Sequence, residues 1–197
     1  MIAGAAGLCA ETMLRAAGSA AADPRIRGPF PILSTPFTDA GEVDLQAYRR
    51  MLGPKTRIVG VVHISNALGT INPVAEMTRM AHEAGAVVLV DGAQAAPHMP
   101  VDVQALGCDF YAFSGHKVMG PMGTGVLWAR RELLDAMPPY QAGSNAAHAV
   151  GYDSAEWSPG GLRFGAGTPN AAGAIGLAAA IVFLQAIGPE AMWRHEQ

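Results

Sequence analysis

Val87-Val-Leu-Val-Asp-Gly-Ala-Gln94 and, further on, Tyr111-Ala-Phe-Ser-Gly-His-Lys-Val-Met-Gly-Pro-Met-Gly-Thr-Gly125 decide how this chain reads. The first is an apolar, β-branched run that stops on an acid. The second carries an apolar run into a turn crowded with glycine and holding Lys117. Short apolar runs bounded by turn residues suit strands buried in a parallel sheet. Such sheets bind ligands beyond the carboxyl ends of their strands, where Asp91 and Lys117 are expected.

The same rhythm extends on both sides. Ile58-Val-Gly-Val-Val62 predicts a strand covered on both faces, and Asn72-Pro73 opens a helical pattern that runs to Glu83 and stops at Gly85. Residues 108–113 and 125–128 predict two more strands, followed by a short helix over 131–136. Residues 138–170, rich in Gly, Pro, Ser and Asn, read as a long irregular loop with a functional or interfacial role. An apolar helix is predicted over 171–187, broken by Gly188-Pro189. Strands alternating with helices give an α/β fold with a mostly parallel sheet and flanking helices. Residues 1–30 form a low-complexity segment, open to disorder, ahead of one ligand-binding domain over 31–197.

With 197 residues, half of them hydrophobic, the chain can bury a core. A net charge of −3 gives no electrostatic case for nucleic acid or an anionic membrane surface. Cys9 and Cys108 cannot build a disulfide framework, so a cytoplasmic protein is expected. Glu11 and Arg15 interrupt any signal-peptide core, and no apolar run spans a bilayer. The six histidines show no metal-ligand spacing. His82 is expected to face solvent on its helix, and Cys108 to be a small buried hydrophobe.

The chemistry gathers around Lys117. A lysine in a glycine-rich turn is held against the sheet edge, sheltered from bulk water as Schiff-base exchange requires. Taken alone it reads as a surface turn residue, but Asp91 changes that. A carboxylate at the neighbouring strand end keeps a pyridine nitrogen protonated, so pyridoxal 5'-phosphate (PLP) is the expected cofactor. Asp91 alone fits equally a turn cap before Gly92. Gln94 suits the ring's phenolic oxygen or an exposed polar turn. Ser114 and His116, with free backbone N–H groups, suit a phosphate cradle, or simply build the turn. The glycines after Lys117 match neither a P-loop nor a dinucleotide fingerprint.

His63-Ile-Ser-Asn-Ala-Leu-Gly-Thr-Ile-Asn-Pro73, Val90-Asp-Gly-Ala-Gln94, Pro100-Val-Asp-Val-Gln-Ala-Leu106, Ser114-Gly-His-Lys117 and Arg163-Phe-Gly-Ala-Gly-Thr-Pro-Asn170 together resemble the SufS-type cysteine desulfurases. These are class V aminotransferases of PLP fold type I, and the likeness runs from about Ile32 to Gly188. It implies that Lys117 holds the cofactor and moves protons at the substrate α-carbon. It further implies that Asp91 pairs with the pyridinium nitrogen, Gln94 with the phenolic oxygen, and Ser114 and His116 with the phosphate. Asn66 would lie beside cofactor and substrate, and Thr168 would reach the phosphate of a neighbouring subunit in a homodimer. His63 lies in a matching motif but receives no ring-stacking role. Cysteine would be the substrate, alanine and an enzyme-bound persulfide the products, and a sulfur-acceptor protein in iron–sulfur cluster assembly the partner.

The departures also carry expectations. The family's N-terminal glycine-rich helix start and stacking histidine have no counterpart in residues 1–30, and the chain stops at Gln197, before the family's sulfur-accepting cysteine and carboxylate-binding arginine. Gln141-Ala142 stands where the family has more glycine, and Gly165 replaces a usual acid. The expectation is a large-domain portion with an intact cofactor loop and weak or no turnover alone. The alternatives are a selenocysteine lyase, another class V aminotransferase or epimerase, and a truncated product with no enzymatic role.

Overall fold

The computed structural model describes residues 35–197. The expected low-complexity segment 1–30, with Cys9, lies outside the described residues. The described chain forms two units. The larger ends at Ala129 and resumes over Asn170–Gln197; the smaller is Arg130–Pro169.

In the larger unit, β1 (Ile58–Val62), β2 (Val87–Asp91), β3 (Phe110–Ser114) and β4 (Gly125–Ala129) form one sheet in that order. β1, β2 and β3 run parallel, and β4 pairs antiparallel with β3, Tyr111 opposite Trp128. The reversal follows from chain length: residues 115–124 join β3 to β4, fewer than the dozen or more that a parallel crossover needs. The sheet is therefore mostly parallel with flanking helices, as the apolar runs predicted.

The flanking helices follow from their ends and stripes. α1 (Leu45–Met51) starts where Asp44 accepts the Ala47 N–H at 2.8 Å. α2 (Val74–Glu83) buries Val74, Met77, Thr78, Met80 and Ala81 on one face. Its outer face pairs Arg79 with Glu76 and Glu83, worth a few tenths of a kcal/mol per pair. Short helices α3 (Ala95–His98) and α4 (Val103–Leu106) follow β2, the second capped by Asp102 on Gln104 and Ala105 N–H. α1 and α2 pack on the sheet face carrying Val59, Val61, Val88 and Val90, and the Tyr48 hydroxyl donates to the Met77 carbonyl at 3.0 Å.

After the smaller unit, Asn170 caps α6 (Ala171–Ile187) by accepting the Gly173 N–H, and Pro189 begins α7 (Pro189–Glu196). α6 buries Gly173, Leu177, Ala180 and Leu184, and its Leu177 and Leu184 pack with Val118, Phe113 and Val126. No single helix among the described residues is long and apolar enough to cross a membrane.

Two expectations change. Among the described residues, β1 is covered on one face only: Ile58 and Val62 are 37% and 39% exposed, because the described helices lie against the Val59 and Val61 side. A β-branched run reports strand propensity; it does not report which faces are covered. Within the stretch expected to be irregular, β5 (Ala147–Val150) and β6 (Ala155–Trp157) form an antiparallel hairpin. His82 faces solvent on its helix, as expected, and its Nε2 also meets Asp109 Oδ2 at 2.7 Å; that buried carboxylate accepts the Val88 N–H at 2.7 Å as well.

In the smaller unit α5 (Arg131–Ala136) is tied to the turn Gly160–Phe164. Asp135 accepts the Gly160 N–H at 2.6 Å and Arg131 Nε at 2.6 Å, and Arg163 donates to the carbonyls of Asp135 and Met137.

Two measurements check this packing. Met77→Ala should lower the urea-unfolding free energy by about 3 kcal/mol, the cost of a truncated buried methionine; a loss under about 1 kcal/mol would contradict its core position. The Gly160 amide and the Arg131 guanidinium hold the Asp135 carboxyl below its ordinary value of 3.8. A depressed acid adds stability above that value and loses it as pH falls through the folded one. The Gly160 amide chemical shift should titrate with a midpoint below 3.8, a titration that Asp135→Asn abolishes.

Candidate functional site

β2 is apolar to Val90 and ends on Asp91, whose neighbours across the sheet are Val62 and Ala112. Asp91 is exposed, and its Oδ1 accepts the Ala93 N–H at 2.9 Å, an Asx-turn that ends the strand. The Asp91 carbonyl accepts the His63 N–H at 2.8 Å, and Gly92 N–H donates to the Ala112 carbonyl at 2.8 Å. Gln94 then takes the N-cap position of α3, its side chain free of partners among the described residues.

β3 runs two residues past the Asp91 register to Ser114 and enters a 3₁₀ turn, Gly115–Val118. A Cβ on Gly115 would run into the Thr124 side chain, so only glycine lets the strand turn back this tightly. Gly115 N–H donates to the Thr124 carbonyl, and Gly120 N–H to the Gly115 carbonyl, closing the loop around Lys117. Val118 is buried beneath it against Leu177 and Ala96, which docks α3 onto this turn. Lys117 is half-buried and His116 exposed; neither, nor Ser114 Oγ, has a hydrogen-bond or ion-pair partner among the described residues.

Because β1, β2 and β3 are parallel neighbours, their carboxyl ends lie along one edge. That edge carries Asp91, Gln94, Ser114, His116 and Lys117. Asn66 follows β1 at the same edge, in a loop where Ser65 Oγ accepts the Ala67 and Leu68 N–H groups. Its own side chain is exposed and unpartnered among the described residues. Thr168 belongs to the smaller unit, exposed beside Gly167, whose N–H donates to the Ser144 carbonyl. Cys108 is fully buried, and no cluster of His, Cys, Asp or Glu among the described residues is placed to hold a metal.

Sequence reasoning passed over what lies behind Asp91. His63 and Tyr111 are both buried, with His63 Nδ1 and the Tyr111 hydroxyl hydrogen-bonded at 3.1 Å. Burial lowers the pKa of His63, and burial, then Cys108 and Asp91, raise that of Tyr111, so both are neutral. The available signal was the strand alternation that puts His63 on the face of Val59 and Val61.

The geometry can be set beside known proteins. The family model for class V aminotransferases matches residues 20–197. A cysteine desulfurase of Dickeya dadantii (strain 3937) is 51% identical over 167 residues, covering 82% of this chain and 39% of its own. The chain thus spans about 40% of the length of the curated relatives it matches. The apo structure of a cysteine desulfurase from Thermococcus onnurineus NA1 superposes with a TM-score of 0.75 at 42% identity, over 81% of this chain and 40% of that one. A mutant of C-DES with glycine covalently linked to its PLP cofactor superposes with a TM-score of 0.69 at 32% identity, over 78% and 42%. With the model match running over most of its length, this chain belongs to the class V aminotransferase family.

Proposed function

We propose that this chain carries the PLP-binding centre of a SufS-type cysteine desulfurase, which converts L-cysteine to L-alanine and an enzyme-bound persulfide. The observation that carries the reading is the shared strand edge: the free amine of Lys117 and the carboxylate of Asp91 close adjacent parallel strands. They do so within a segment about half identical to cysteine desulfurases. The donor set fits the cofactor, offering an amine, an acid, an amide, a hydroxyl and an imidazole. Apart from the Asp91 Asx-turn bond, these side chains are free of partners among the described residues.

PLP supplies, when bound, a protonated ring that takes up the electron pair left at the substrate α-carbon. Lys117 Nζ would hold the cofactor and, when displaced, carry the proton at that α-carbon. Asp91 would keep the ring nitrogen protonated by its adjacent negative charge. Gln94 would donate to the phenolic oxygen, Ser114 Oγ and His116 to the phosphate, and Asn66 would lie beside cofactor and substrate. In a homodimer, Thr168 would reach the phosphate of the neighbouring subunit. Cys108, fully buried, takes no part in receiving sulfur. The accompanying proposals are a sulfur-acceptor protein, a role in iron–sulfur cluster assembly, and a cytoplasmic location.

PLP added to the purified protein should raise a visible absorbance band, and borohydride followed by peptide mapping should place the label on Lys117. Lys117→Ala should abolish both, while Asp91→Asn should keep the label and slow α-proton exchange of bound cysteine on the order of a hundredfold. A label spread over surface lysines, unchanged in Lys117→Ala, would refute the reading.

A further inference from the structure

The turn that carries Asp91 rests on a closed ring of contacts with no role assigned so far. Gly92 lies directly over Tyr111: a Cβ there would run into the ring carbons and hydroxyl of that side chain. The Tyr111 hydroxyl meets His63 Nδ1 at 3.1 Å, and the two rings are edge-to-face at 6.0 Å and 87°. His63 closes the circuit through its main chain, donating its N–H to the Asp91 carbonyl at 2.8 Å. One loop of contacts therefore runs Asp91, Gly92, Tyr111, His63 and back to Asp91.

Strand alternation sets the geometry. Val90, Gly92, Tyr111 and His63 share the covered face with Val59 and Val61, while Asp91 faces the opposite side with Val62 and Ala112. The Tyr111–His63 pair thus supports the peptide after Asp91 from behind, while the carboxylate, bonded to the Ala93 N–H, stays exposed on the front. Nothing in this support is charged. Both groups are neutral, with burial shifting each away from its ionised form. A neutral buried pair fixes position without competing for the Asp91 charge.

We propose that Tyr111 and His63 are positioning residues that fix the Gly92 turn and thereby aim the Asp91 carboxylate at the ring nitrogen of the bound pyridine cofactor. The proposal rests on the cofactor reading above and adds residues that touch neither cofactor nor substrate. It also accounts for Gly92, since only a residue without a Cβ lets the Tyr111 ring reach the turn.

The test compares the unaltered protein with Tyr111→Phe, His63→Gln and the double variant. Tyr111→Phe keeps the ring and loses only the hydroxyl, so the fold is retained; His63→Gln breaks the same bond from the other side. Two readouts are taken: amide hydrogen exchange at Gly92, Ala93 and Gln94 without cofactor, and PLP titration followed by the visible band. Each single variant should speed exchange at these three amides and leave the α2 amides unchanged. Each should raise the PLP dissociation constant about tenfold, the worth of one buried hydrogen bond. The double variant should weaken binding no further than either single one, because the pair acts as a unit. Exchange and PLP affinity unchanged in Tyr111→Phe would overturn the proposal while leaving the site reading intact. A uniform rise in exchange across α2 and β1 would overturn it too, by showing general destabilisation. No visible band in the unaltered protein would overturn the site reading and this proposal together.

Discussion

The parallel register of β2 against β3 is the constraint on which the rest depends. With Asp91 beside Ala112, β3 must end two residues later at Ser114, and the chain must turn at once into the segment holding Lys117. An acid and an amine that stand far apart in sequence thereby share one sheet edge. Shifting β2 by one residue would move Asp91 to the covered face, where an ionised carboxylate is costly. The apolar face of Val59, Val61, Val88, Val90 and Tyr111 makes that slip unfavourable, so core packing and site geometry follow from one register.

The Lys117 turn is stiffened from several sides. Met119, two residues on, takes a left-handed conformation with φ 61, costly for a side chain with a Cβ and sustained here by the bonds that return to the Gly115 carbonyl. α6 approaches so closely that a Cβ on Gly176 would run into Pro121 and one on Gly173 into Thr124. The apolar composition of α6 thus reflects contact with this turn as well as helix propensity. His98 and Glu196, paired at 2.9 Å, add a link between α3 and α7 at the surface.

Much of this was legible in the sequence. The four strands announced themselves as apolar runs ending at turn residues, and Gly85 and Gly188-Pro189 ended helices where expected. Asp91 and Lys117 could be placed at strand ends because an acid and a lysine interrupt those runs. The coverage of β1 was not legible, because Ile58 and Val62 are as β-branched as Val59 and Val61 while lying on the exposed face. β5 and β6 escaped because strands of four and three residues sit among glycines and prolines that signal turns. His82 is solvent-facing as its helix position implied, but its bond to Asp109, 27 residues away, could not be read from any local pattern. The His63–Tyr111 pair joins residues 48 apart, a contact that no local pattern contains.

The central claim is that one edge of the sheet holds both ends of a pyridine cofactor. A crystal structure of the protein soaked with PLP tests it most directly. Continuous electron density is expected from Lys117 Nζ to the cofactor's aldehyde carbon, with the Asp91 carboxylate within hydrogen-bonding distance of the ring nitrogen. Density joined to another lysine, or a ring nitrogen turned away from Asp91, would contradict it.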